Sequence, residues 1–248
     1  MRSIFTIKLA ISNLGKNRKF YLPYILASII MISIFYIMGF LSGNEGLSKF
    51  QGAESVQLLL WLGTVIVGIF SLVFIFYINN FLMKQRSKEF GLYNMLGMEK
   101  RHLARVLFAE SMITSFVSIV SGIGIGVLFS KLILMIMAKV LELGSPLSFV
   151  VSTDSIKLTS DLFIVLFTAV LMKNIISISL SKPVEMLKGG SAPEKEPRAR
   201  WILSIIGAIC MISGYVISIK IKYPLAALML FFVAVILVMI GTYLLFTT

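Results

Sequence analysis

The sequence predicts an all-α, polytopic fold of transmembrane helices with a cytoplasmic coupling helix, and three observations carry that prediction. Apolar residues make up 58% of the chain and the mean hydropathy is +0.97, far above the balance of an ordinary globular domain. Apolar runs of about 20 residues, long enough to cross roughly 30 Å of hydrocarbon, recur at 21–41, 56–82, 106–138, 162–180, 201–219 and 225–246. Backbone amides find no water in lipid, so each run should be helical. Finally, sixteen of the 23 Lys and Arg fall in alternate non-apolar segments. These are the N-terminal arm (Arg2, Lys8, Lys16, Arg18, Lys19), residues 83–105 (Lys84, Arg86, Lys88, Lys100, Arg101, Arg105) and residues 181–200 (Lys182, Lys188, Lys195, Arg198, Arg200). That asymmetry places all three in the cytoplasm. The net charge of +12 is therefore topogenic and faces anionic lipid headgroups; nucleic-acid binding is excluded as a reading.

Residues 1–20 read as an interfacial helix. Ile4, Phe5, Ile7, Leu9, Ala10, Ile11 and Leu14 are set among basic and small polar positions, which suits a helix lying in the inner membrane interface. A plain topogenic arm is the alternative, and the chain is expected to turn at Gly15. The first span is too long for a cleaved signal peptide and lacks a small-x-small exit. Its Pro23 is expected in the first turn, where proline is tolerated. A short polar outer loop, 42–55, leads to the second span.

That span runs on into a basic helix over 84–97, the coupling helix of the predicted fold. Gly97 is the expected left-handed stop, and Glu99 favours the next helix through its dipole. The third span carries Ser118, Gly122 and Gly126 four apart, a spacing that lets a neighbouring helix approach closely. General packing is the simpler reading of this row and a gating seam the sharper one. After an external connection over 139–160 comes the fourth span, which completes a four-span unit, 21–190. Residues 181–188 look like a short helix, and 191–200, rich in Gly, Ser, Pro and charge, a cytoplasmic linker. The remainder, 201–248, is a two-span hairpin.

Catalytic chemistry finds no support. There is no G-x-x-x-x-G-K-[ST] phosphate loop, and the one histidine, His102, sits among Lys100, Arg101 and Arg105, as a headgroup or partner contact would. No metal or haem ligand set is visible, so no cofactor is expected. Cys210 is the single cysteine, which rules out an intrachain disulfide. Ionisable residues in or near spans are functional suspects by default. Lys131 and Lys173 can snorkel to opposite interfaces. Glu110 is placed to pair with a base of 83–105, and Asp161 to favour the start of the fourth helix. No carboxylate chain crosses mid-membrane, which disfavours an ion-driven transporter.

The run Arg86-Ser-Lys-Glu-Phe-Gly-Leu-Tyr-Asn-Met-Leu-Gly-Met98 resembles the motif after the second span in FtsX/MacB-like ABC permeases. It is most like the bacitracin-resistance (Bce) type of low-GC Gram-positive bacteria. The resemblance extends to Ser130–Ile136, Ile212–Tyr215 and Gly241–Phe246. It implies a non-enzymatic permease subunit in a bacterial plasma membrane, with its N-terminus in the cytoplasm. A separate ABC ATPase subunit, in two copies, would drive it, and a membrane histidine kinase and membrane lipids would be its other partners. The implied cargo is a peptide antibiotic, bacitracin-like, or its lipid-linked cell-wall target. The alternatives are a lipoprotein- or lipid-extracting permease, and a non-transporting regulator of a kinase or cell-wall hydrolase. The expected ATPase-coupling residues are Arg86, Lys88, Glu89, Phe90, Leu92, Tyr93, Met95 and Gly97, with Phe90, Tyr93 and Met95 as packing anchors. Bce-type permeases have ten spans and a large extracellular domain after the seventh. The six spans here are accordingly expected to be the N-terminal portion of a longer permease, or a short relative that needs a second one.

Overall fold

A computed structural model describes residues 2–44, 53–140, 151–180, 201–220 and 228–246. Among them every regular element is an α-helix, and the chain divides into two compact units, Met1–Ser191 and Ala192–Thr248. The first holds α1 (Arg2–Lys16), α2 (Arg18–Ser42), α3 (Ala53–Met95), α4 (Lys100–Val140) and α5 (Thr153–Leu180). The second holds α6 (Trp201–Lys220) and α7 (Leu228–Phe246). Each of α2 to α5 is long and apolar enough to cross a membrane; the apolar stretches found in α6 and α7 are the shorter Leu203–Ile219 and Leu230–Thr242. The outer loop over 45–52, the connection over 141–150, residues 181–188, the linker 191–200 and the predicted start of the sixth span at 225–227 lie outside the described residues.

The helices overrun the apolar stretches that predict them. With 43 and 41 residues, α3 and α4 are each about 60 Å long, twice the hydrocarbon thickness. The excess lies largely at the polar end of α3 and the start of α4, so the two form a helical hairpin that reaches beyond the span. Its tip is a tight reversal. Gly97 has φ +89, Met98 N–H donates to Tyr93 O at 3.0 Å and Gly97 N–H to Asn94 O at 3.2 Å, the paired bonds of a Schellman stop. Glu99 O then accepts from His102 and Leu103 amides at 2.9 and 3.2 Å, starting α4.

Three local expectations are corrected. The α1–α2 break falls at Asn17, not Gly15: Asn17 N–H donates to Asn13 O while its own carbonyl accepts from the Phe20 and Tyr21 amides. Pro23 is consequently in the second turn of α2, where it leaves the Lys19 carbonyl without its helical donor. Asp161 does not start α5, which begins two turns earlier at Thr153; there the Ser152 hydroxyl accepts from the Ser155 amide at 3.2 Å, the usual N-terminal cap.

In the first unit α2 is central, packed on α3, α4 and α5, and α1 lies against α4. One core joins α2, α3 and α5 through Ile32, Phe35, Ile75, Phe163 and Phe167, with Phe35 and Phe163 edge to face at 5.8 Å. The α2–α4 seam is closer. A Cβ added at Gly122 would stand 2.7 Å from the Ile32 side chain, and one at Gly126 2.8 Å from the Tyr36 ring. The backbone thus bared at Gly122 accepts a 2.8 Å hydrogen bond from the Ser33 hydroxyl. In the second unit α6 and α7 approach in the same way: a Cβ at Gly214 would meet Ala234 O and Val238, and one at Gly241 would meet Gly207 O and Met211.

Candidate functional site

The polar density of the first unit concentrates where α1, α2, α3 and α4 converge. Glu110 of α4 and Arg86 of α3 are each 1% exposed and form an ion pair, Nη1 to Oε2 at 2.6 Å and Nη2 to Oε1 at 3.2 Å. A buried carboxylate must have its lone pairs filled, and two more donors do this. Asn13 Nδ2 of α1 donates to Oε1 at 3.0 Å, and Tyr21 Oη of α2 to Oε2 at 2.7 Å. Arg86 Nη1 also contacts Tyr21 Oη. The guanidinium lies over the Tyr21 and Phe90 rings, 5.1 and 4.7 Å from their centroids, a favourable cation–π setting.

The cluster continues outward along α3. Arg86 Nε donates to Glu89 Oε2 at 3.2 Å, and the same oxygen accepts from Asn17 Nδ2 at 2.9 Å. One helix turn thus connects the deepest ion pair to the elbow between α1 and α2. Below it Phe90, Leu103, Leu107 and Ile178 form a small apolar core that unites α3, α4 and α5, and Lys100 Nζ reaches Ser179 O at 2.8 Å.

This geometry divides the predicted coupling set. Arg86 and Phe90 are turned inward and spent on contacts within the chain, so neither presents a surface to a partner. Lys88, Leu92 and Met95 are exposed, Glu89 and Tyr93 half-buried, and Gly97 sits at the exposed turn. Leu92, Met95 and Leu96 are 53%, 63% and 76% exposed, an apolar edge outside the predicted span. His102 Nδ1 lies 3.7 Å from Glu99 in the same turn. Of the small-residue row, Gly122 and Gly126 face α2; Ser118 is buried, with no partner for its hydroxyl among the described residues.

Sequence reasoning foresaw a base for Glu110 but missed Asn13, Asn17 and Tyr21. It also missed the reciprocal amide pair of Asn79 and Asn174, at 2.8 and 3.1 Å, buried between α3 and α5. The signal was available: amides at 79, 80 and 174 interrupt apolar spans. Lys173, expected to snorkel, is exposed and reaches Asn80, with its ammonium 5.5 Å from the Phe76 ring centroid. A cavity of about 20 Å³ between the ion pair and the amide pair is lined by Tyr21, Asn79, Ser111, Thr114 and Asn174. A larger, open groove of about 280 Å³ runs between α4 and α5, walled by Phe116, Ile119, Ile164, Phe167 and Leu171. Among the described residues no group of His, Cys, Asp and Glu could hold a metal ion.

Residues 61–184, which include Arg86, Glu89, Phe90 and Glu110, match the family model described as FtsX-like permease C-terminal. The chain belongs to the FtsX-like permease family. With four helices long enough to cross the bilayer, this FtsX-like permease is a membrane protein. It is similar to YvcS of Bacillus subtilis, named an uncharacterized ABC transporter permease: 31% identity over 244 residues, 96% of this chain and 37% of the relative. YxdM, an ABC transporter permease protein of the same organism, is 27% identical over 97% of this chain and 38% of its own length. The bacitracin export permease protein BceB of Bacillus subtilis is 26% identical over 85% of this chain and 33% of its own. The FtsX-like chain therefore spans between a third and two fifths of the length of these curated relatives. Asn13, Asn17 and Tyr21 lie outside the matched family segment.

Proposed function

We propose that the chain is permease sequence of an ATP-driven ABC complex in a bacterial plasma membrane, with its N-terminus cytoplasmic and ATP hydrolysed by a separate subunit in two copies. The observation that carries this reading is the exposed apolar edge Leu92, Met95 and Leu96 at the end of a helix that outruns its span by three turns. Apolar side chains outside both lipid and core call for a partner, and contacts fully desolvated at the centre of an interface contribute more to docking than rim charges do. Lys88 and Glu89 would form that rim, and Tyr93 would support it from its half-buried place beside Phe90. Arg86 and Phe90 hold the lever rather than touch the ATPase.

The name of the BceB relative supports a peptide antibiotic of the bacitracin type as cargo; its lipid-linked target as cargo and a membrane histidine kinase as signalling partner rest on the Bce-type resemblance alone. A second reading, extraction of a lipid or lipoprotein, is favoured by the apolar α4–α5 groove, which is open enough to receive a hydrocarbon chain. The first test is affinity purification from membranes with mass spectrometry of what accompanies the chain. Co-purification of an ABC ATPase that is lost in Leu92→Asp and Met95→Asp, with both variants still inserted and monodisperse, is the expected result. An ATPase retained in both variants would refute the proposed docking edge, and no ATPase with the unaltered chain would refute the driven-permease reading.

A further inference from the structure

α1 has two faces. Ala10 and Asn13 are buried and Leu14 packs on the core; Lys8, Ile11 and Lys16 are exposed, as are Arg18 and Lys19 just past the elbow. No acidic residue precedes Glu45, so nothing within this arm neutralises those cations. Ile11 and Leu22 are more than half exposed among them. Cations interspersed with exposed aliphatics match a headgroup layer with hydrocarbon beneath it. Depth agrees: Asn13 is bonded to Glu110, four residues past the start of the predicted third span, which sets α1 at the inner interface.

The buried face joins this arm to the lever. Asn13 is bonded to Glu110 and Asn17 to Glu89, and both carboxylates are bonded to Arg86. We propose that α1 and its elbow dock on anionic phospholipid headgroups of the inner leaflet, and that this docking sets the position of residues 84–95 through Asn13–Glu110 and Asn17–Glu89. The lipid surface and its link to the lever need no partner; only their consequence for ATP-driven cycling rests on the docking reading above.

Hydrogen exchange by mass spectrometry, on the whole chain in nanodiscs, tests both parts without the ATPase. Discs of phosphatidylcholine are compared with discs of phosphatidylcholine and phosphatidylglycerol. Each cation near an anionic surface contributes about fivefold to partitioning, so amides of 8–20 should exchange at least about fivefold more slowly in the anionic discs. Amides of 84–95 should slow with them, and raised salt should weaken both responses. In Lys16→Gln/Arg18→Gln/Lys19→Gln both responses are lost. In Asn13→Ala/Asn17→Ala the 8–20 response persists and the 84–95 response disappears; Asn17→Ala alone, at the partly exposed elbow, gives the same sign if the double variant does not fold. Exchange of 8–20 indifferent to anionic lipid overturns the headgroup surface. A lever response that survives the loss of both asparagines overturns the link.

Discussion

Glu110→Gln isolates the ionic character of the buried cluster, because it keeps the side chain's shape and removes its charge. Glu110 accepts four hydrogen bonds: from Asn13 at 3.0 Å, Tyr21 at 2.7 Å, and Arg86 at 2.6 and 3.2 Å. The amide turns one acceptor oxygen into a donor that faces either Asn13 and Arg86 or Tyr21 and Arg86; the Tyr21 hydroxyl can turn to accept, so one or two bonds are lost. Losing one or two bonds to a charged group at ~1.5–3 kcal/mol each gives an expected destabilisation of about 1.5–6 kcal/mol, which brackets the ~3–5 kcal/mol for stripping one partner from a buried ion pair. Arg86→Met should fall in the same range, since it leaves the carboxylate buried without its counter-ion.

The double variant Arg86→Met/Glu110→Leu removes both charges and fills the space with hydrocarbon. Its remaining cost is the stranded polar atoms of Asn13 and Tyr21, ~1–3 kcal/mol each, so it should cost less than the sum of the single losses, with a coupling toward the upper end of the ~0.5–3 kcal/mol expected of residues in contact. Reversible unfolding in mixed micelles of a mild detergent and dodecyl sulfate, followed by circular dichroism, measures all four corners of the cycle, in which Arg86→Met and Glu110→Leu are the single variants. Single-variant losses that add to within about 0.5 kcal/mol in the double variant would mean that the two residues do not act as one unit, and the reasoning would fail.

Further expectations concern packing. Gly122→Ala and Gly126→Ala each force a methyl to within 2.8 Å of Ile32 or Tyr36 and should cost about 1–3 kcal/mol in the same titration. Gly124→Ala meets nothing within 4 Å and should be neutral or gain up to ~1 kcal/mol in helix propensity. The Asn79–Asn174 pair should couple more weakly than the ion pair, by about 0.6–1.7 kcal/mol, in a double-mutant cycle with alanine. Gly97→Ala, at φ +89, should lower stability by about 1–2 kcal/mol, with Gly97→Asn milder; a thermal melt followed by size-exclusion chromatography ranks the two.

The first four spans and the stop at Gly97 were legible because each rests on local physics. A run of apolar residues must bury its backbone bonds within itself, and a glycine after a helix offers the one conformation that ends it cleanly. The meeting of Glu110 with a base of 83–105 was also within reach, since a carboxylate at a span boundary needs a counter-ion nearby in depth. What eluded a linear reading was direction. On a helix a shift of one residue turns a side chain by about 100°, so Arg86 and Lys88, both basic and two apart, face opposite ways. The first is enclosed by Tyr21, Phe90 and Glu110, and the second is exposed. Phe90 and Met95 share an apolar character that gives no hint that one is core and the other surface.

The sequence by itself determined that this is a helical membrane protein with a basic helix over 84–97 and an FtsX-like motif at 86–98, because hydropathy, charge distribution and that motif act over short stretches. The tertiary structure alone decided which residues of that helix are enclosed and which are exposed. It also decided that residues 13, 17 and 21 close on residues 86, 89 and 110. Those contacts join positions 65 to 97 residues apart, and only the packing of four helices brings their charges and amides to one point.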